Sequence, residues 1–132
     1  MTGLTHLALS SVIYRRGKFP VPVLLAAGFA AHFFLDRIPH FELGLWLNVL
    51  PGVAGGGAIF YLARRDDDPL LPAAALIGLL PDGLVQTGVW PWFDRFHAFC
   101  HFRGTGSPLL LVLEFVLTAG CFFILWRGKK GA

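Results

Sequence analysis

The sequence predicts an all-α integral membrane bundle: about four transmembrane helices, a short N-terminal helix and an interfacial helix in an outer loop. Three observations carry that expectation. Hydrophobic residues make up 55% of the 132-residue chain and charged residues only 14%, against roughly 25% charged residues in ordinary soluble domains. The apolar residues gather in long runs, several reaching the ~20 residues that a helix needs to cross a hydrocarbon core. No run alternates polar and apolar residues as a barrel strand does. A mean hydropathy of +0.64 agrees: too few polar groups exist to cover a soluble surface. The length fits one domain, residues 1–132, and not two.

Residues 4–14 come first and are too short to cross alone. They lie in the interface, re-enter from one side, or extend the first span. Their basic residues, in "MTGLTHLALSSVIYRRGK", follow the apolar stretch, the reverse of a secretory signal, so the segment is read as part of the mature protein. The first span, 20–36, is just long enough once His32 and Asp36 are admitted at its end. Cleaner spans follow at 43–63, 70–90 and 108–126. Helix breakers interrupt them: "LPGVAGGG" in the second, and Pro72 and Pro81 in the third. Irregular backbone at membrane depth lines a cavity or is packed in protein, and small residues also let helices approach. Close packing is the expected role of the glycines. The loop "PWFDRFHAFCHFRGTGS" carries Trp92, Phe93, Phe96, Phe99 and Phe102, which suits an amphipathic segment at the headgroup level.

Charge sets the expected sidedness. With four spans, segments 1–19, 64–69 and 127–132 share one side and carry Arg15, Arg16, Lys18, Arg64, Arg65, Arg127, Lys129 and Lys130. The other side holds Arg37, Arg95 and Arg103. By the positive-inside rule both termini are cytoplasmic and the opposite loops face outward. The formal charge of +3 does not indicate nucleic acid, because the basic residues sit in short clusters between apolar runs. Cys100 and Cys121 have no metal-ligand spacing and fall near opposite faces, so no disulfide between them is expected.

Polar residues inside the spans collect in one half. At 1.5 Å per residue, His32 lies ~6 Å below the outer end, Asn48 ~8 Å, Asp82 ~12 Å, Gln86 ~6 Å and Glu114 ~9 Å. Ionisable groups at such depth are costly and usually face a bundle interior. One shared polar pocket that opens outward is therefore expected. The stretch "AHFFLDRIPHFE" places His32, Asp36, His40 and Glu42 together. His32 and Asp36, four apart, project from one helix face, and His97 and His101 repeat the spacing. Pro39 discourages helix before it, so His40 need not share the face of His32. Histidines at i and i+4 can bind one metal ion. With Asp82 beneath, the two pairs supply ligands for one or two divalent ions. Other readings stay open: Asp36 pairs with Arg37 or Arg95, or His97 and His101 contact headgroups. His6 joins the pocket only if residues 4–14 re-enter, since a helix of that length reaches roughly 16 Å.

The same residues resemble a family. "AHFFLDRIPHFE" is similar to the S-H-x-x-L-D-x-x-P-H signature of the YdjM-like group of small bacterial membrane-bound metal-dependent hydrolases. "THLALS", "GLLPDG" and "HFRGTGS" resemble that group's T-H, L-P-D and H-R-G-x-T-H-S elements, the last with Gly106 where the group has histidine. The resemblance implies His6, His32, Asp36, Asp82 and His101 as metal ligands, with His97 a further candidate. It also implies a bacterial inner-membrane location and a divalent cofactor (zinc, manganese or magnesium). Hydrolysis at the outer leaflet would use Asp82 or Glu114 as general base, and Arg37, Arg95 and Arg103 to hold the phosphate of a lipid headgroup. The competing expectation is a non-catalytic accessory or scaffold subunit of a larger membrane complex, its histidines structural or ligating a haem or pigment. A channel fits less well, since the inner halves hold little more polar than Thr118.

Overall fold

Proline and glycine punctuate the chain, and the helices follow them. The computed structural model describes residues 1–41, 43–103 and 106–128, with Leu45 placed by its backbone alone. Among the described residues there are six α-helices and no strand: α1 (Gly3–Arg16), α2 (Val21–Arg37), α3 (Leu45–Arg65), α4 (Leu71–Thr87), α5 (Pro91–Cys100) and α6 (Pro108–Arg127). Pro22, Pro72, Pro91 and Pro108 stand in the first turns of α2, α4, α5 and α6, where the missing N–H has no helical partner to lose. Gly88, at φ +60°, ends α4 in the left-handed conformation that glycine adopts without strain. Pro51 and Pro81 lie inside helices that continue past them.

The four expected spans become α2, α3, α4 and α6. Of these, α3 and α6 are long and apolar enough to cross a membrane. Helices α2 and α4 have 17 residues each, roughly 25 Å of rise against a hydrocarbon core of about 30 Å. The loop helix α5 is short and amphipathic, burying Phe93 and His97 while Trp92, Phe96 and Phe99 stay exposed.

Residues 4–14 take the central place. Helix α1 is in contact with α2, α3, α4 and α6, and it buries Thr5, His6, Leu7, Ala8, Ser10, Ser11, Tyr14 and Arg15. Small residues make this possible. A Cβ on Gly28 would collide with Ser10 Oγ, and one on Gly78 would meet the His6 carbonyl at 2.6 Å. The buried hydroxyls are satisfied inside the bundle. Ser11 Oγ donates to Leu7 O at 2.8 Å, and Ser10 Oγ donates to Ala74 O at 2.5 Å.

The distribution of polarity is inverted relative to a soluble bundle. Buried positions include Thr5, His6, Arg15, His32, Asp36, Glu114 and Thr118, whereas Trp46, Leu50, Val53, Phe115 and Val116 are largely exposed. An apolar cluster of Leu7, Tyr14, Ile59, Leu62, Leu71, Ala74 and Leu125 packs the rest of the interior.

The placement of α1 corrects the expected sidedness of the N-terminal segment. Its start faces the His/Asp end of the bundle, with the Met1 ammonium 3.4 Å from Asp36 Oδ1. Its last turn faces the opposite end, where Arg15 pairs with Asp66 at 2.9 Å. Residues 1–19 therefore do not share one side, because α1 threads the bundle instead of lying on it. Lys129 and Lys130, counted on the basic side, lie outside the described residues, as do Glu42, Gly104 and Thr105.

Candidate metal centre

Helix α2 supplies the centre's first two groups. His32 and Asp36, one turn apart, are both 1% exposed, and His32 Nε2 lies 3.1 Å from Asp36 Oδ2. Gly78 fixes the imidazole: its carbonyl sits 2.9 Å from His32 Nδ1. A carbonyl only accepts, so Nδ1 carries a proton, and in the neutral ring Nε2 is the nitrogen that keeps a lone pair. Metal-ligating histidines are usually oriented in this way.

Helices α4 and α5 complete a four-residue group. His97 Nε2 lies 3.0 Å from His32 Nε2, 3.2 Å from Asp82 Oδ1 and 3.4 Å from Asp36 Oδ2. Asp82 Oδ1 is 3.5 Å from His32 Nε2. A tetrahedron with metal–ligand bonds of ~2.0–2.1 Å has edges of ~3.3–3.4 Å. The separations among these atoms cluster around that edge length. His32, Asp36, Asp82 and His97 thus form a group able to hold a metal ion, as do Asp36, His40 and His101. Asp36 belongs to both.

His6 stands against this group from α1. Its ring stacks on His32 with centroids 4.1 Å apart, and its Nε2 is 3.1 Å from Asp36 Oδ1. Yet His6 Nε2 and Asp36 Oδ2 are buried without a hydrogen-bonding geometry among the described residues. A cation placed between the His6 ring and Asp36 would give both a partner. His101 Nε2 lies 3.6 Å from Asp36 Oδ2. The carboxylates of Asp36 and Asp82 hold the His97 imidazole protonated, raising its pKa to about 9. A pocket of this kind demands positive charge.

All six residues expected as ligands, His6, His32, Asp36, Asp82, His97 and His101, therefore meet in one place. His40, which Pro39 had set aside, joins them. The chain turns back after α2, His40 Nδ1 donates to Ile38 O at 2.8 Å, and the ring packs 5.2 Å from that of His101. Phe102 N donates to Asp36 O at 2.8 Å and ties the loop after α5 to α2. Gly106 has a steric reason to be glycine, because a Cβ there would collide with the His40 carbonyl and Phe41 N. The histidine of the family signature could not occupy that position in this packing.

Glu114 has a different task from the general base expected of it. Its Oε1 accepts from Thr2 N at 2.5 Å and from Thr5 Oγ1 at 2.9 Å, so it serves the first turn of α1, where N–H groups lack helical partners. Helix α6 packs on α1, whereas α5 packs on α2 and α4, and this keeps Glu114 out of the group. Asp82 differs from the other ligands in exposure, with 42% of its side chain accessible.

Three cavities adjoin the centre, and the two smaller ones lie by the His40/His101 turn. One of about 210 Å³ is lined by His40, Leu43, Asn48, Asp82, His101 and Met1. Another of about 450 Å³ is lined by Arg37, Pro39, His101, Phe102 and Arg103. Arg37 also donates to Phe99 O at 3.1 Å. Arg95 is exposed on α5 and lines neither cavity. Cys100 and Cys121 are free thiols. Comparison with known protein families, with curated proteins and with solved structures finds no match for this chain.

Proposed function

We propose that this chain is a membrane-embedded, metal-dependent hydrolase of the YdjM-like kind, acting on a phosphate-bearing lipid headgroup at the outer leaflet. The observation that carries the reading is the meeting of His32, Asp36, Asp82 and His97, from three helices, at metal-ligand spacing. The bilayer part rests on the inverted polarity. Exposed Leu, Val, Phe and Trp on α3 and α6 around a buried His/Asp/Thr interior are what a lipid solvent selects. In this reading α2, α3, α4 and α6 all span, with tilt and local thinning accommodating the shorter pair. The end carrying Arg15, Arg16, Arg64, Arg65 and Arg127 faces the cytoplasm of a bacterial inner membrane.

His32, Asp36, Asp82 and His97 would hold a divalent ion, zinc, manganese or magnesium, which with one further position open to water would supply Lewis acidity and lower that water's pKa. The chain's own groups do the rest. Asp82 reaches into the 210 Å³ cavity and accepts the proton of an attacking water there. Arg37 and Arg103, on one cavity wall with His101, neutralise a phosphate. Arg95 is free to meet headgroups at the surface. Gly78, through its carbonyl, keeps His32 Nε2 aimed at the centre. The haem-binding accessory subunit fits less well: 3.0 Å between His32 Nε2 and His97 Nε2 leaves no room for a porphyrin plane.

Elemental analysis of detergent-purified protein, with its visible spectrum, tests the reading. Near-stoichiometric divalent metal, no visible band, and loss of both metal and phosphate release in His32→Ala are expected. Metal-free protein after growth with added zinc and manganese would sink the proposal.

A further inference from the structure

Beside the centre, a larger cavity of about 660 Å³ runs between α1, α3 and α4, and Asp82 and Asn48 lie on its wall as well as on that of the 210 Å³ cavity. Its size falls within the ~300–1,000 Å³ typical of small-molecule sites. Leu7, Val49, Val53, Leu76 and Leu79 make the long walls apolar, and the polar residues Asn48, Asp82 and Gln86 line it too. From Asn48 to Gly56 it follows roughly 12 Å of helix.

The glycines of α3 do not all serve packing, contrary to the sequence expectation. Gly55 faces Leu4 and Phe122, where a Cβ would collide. Gly52 and Gly56, and Gly83 across the groove on α4, line the cavity, and a Cβ on any of them meets nothing within 4 Å. These glycines keep a channel open. A second observation points to a ligand at its polar end. Asn48 Nδ2 donates to Leu43 O at 2.9 Å, while Asn48 Oδ1 is buried without a hydrogen-bond partner among the described residues. A buried acceptor of this kind calls for a donor such as a hydroxyl.

We infer that this groove holds one acyl chain of a hydroxyl- and phosphate-bearing glycerolipid, with its headgroup at Asn48 and Asp82 beside the metal centre. The inference rests on the bilayer part of the proposed function for the chain and on the hydrolase part for the headgroup alone. An acyl chain is the occupant of choice because Val53 and Leu76, on the groove's walls, are 70% and 63% exposed. A groove open sideways to the bilayer fills from the bulk of its hydrocarbon. Gly52, Gly56 and Gly83 then set the substrate class by the length of chain they admit.

Phosphatidylglycerol with a diazirine in its acyl chain, photolysed in nanodiscs holding the protein, tests this. Peptide mapping should concentrate label on residues 48–56 and 76–83. Gly56→Trp, which fills open space, should reduce that label by roughly ten-fold and leave the metal content unchanged. Label spread evenly over the outer faces of α3 and α6, insensitive to Gly56→Trp, would overturn the inference. Displacement by farnesyl phosphate but not by unlabelled phosphatidylglycerol would overturn the acyl assignment. Focused label on metal-free protein would uphold the groove and remove the hydrolase reading alone.

Discussion

His32 Nδ1 and the Gly78 carbonyl are 2.9 Å apart, and through this bond helix α4 decides which nitrogen of a helix α2 histidine faces the candidate metal centre. The same glycine lets α1 approach, since its Cα faces the His6 carbonyl. Gly78→Ala would push α1 and α4 apart and tilt His32. Metal affinity should fall by roughly 10- to 100-fold, the usual cost of disturbing a partner behind a ligand. A competition titration with a chromophoric chelator reads the change directly. His32→Gln, which keeps some bulk but removes the imidazole, should abolish binding altogether.

Proton and metal compete for His97. Asp36 and Asp82 raise its pKa to about 9, so at neutral pH the ring is protonated and must lose that proton to become a ligand. Affinity should rise with pH up to about 9 and level off above it. Below that value each unit of acidification weakens binding by roughly ten-fold per displaced proton. Calorimetry in two buffers of different ionisation enthalpy counts the protons released on zinc binding. A pH-independent affinity between 6 and 9 would contradict the assignment of His97.

Glu114 and Asp82 should separate in their effects. Glu114→Gln weakens the anchoring of Thr2 and Thr5 at the start of α1, which costs about 1–3 kcal/mol. Its melting temperature should drop while metal content holds. Asp82→Asn should keep the fold, because 42% of its side chain already meets the cavity, but lose metal and activity. The opposite pattern would return Glu114 to the chemistry.

Four helices were legible in the sequence because an apolar run reports its length directly. The centre's two halves were legible as i,i+4 pairs, and a depth count placed Asp82 at the same level. Depth says nothing of azimuth, however. Glu114 shares that level but belongs to α6, which packs on α1, whereas α5 packs on α2 and α4. Helix α1 was the hardest to place. Hydropathy weighs what a segment would do in lipid, whereas Thr5, Ser10 and Ser11 are buried against protein groups that satisfy them. His40 was hidden by a sound rule: Pro39 does end the helix, but the turn after it folds the imidazole back towards Asp36.

The end of the bundle away from the centre offers the last test. Arg15 has no exposed side-chain surface, pairs with Asp66 Oδ2 at 2.9 Å and donates to the Leu125 carbonyl at 2.8 Å. That carbonyl lies in the last turn of α6, where C=O groups lack helical partners. One guanidinium nitrogen, Nη1, thus joins the end of α1 to the ends of α3 and α6, while Nε and Nη2 are buried without a hydrogen-bond partner among the described residues. Arg65 also holds Asp66, at 2.7 Å, so the carboxylate keeps one cation if Arg15 is lost. Arg15→Met, close to isosteric and apolar, should cost about 1–3 kcal/mol, set mainly by the orphaned carbonyl. Arg15→Lys should recover most of it, since one ammonium can donate to both Asp66 and the Leu125 carbonyl. Since the centre lies at the other end of α1, both variants should bind metal normally at low temperature. Thermal unfolding followed alongside metal retention checks this, and early metal loss in Arg15→Met would mean that the two ends of the bundle are coupled through α1.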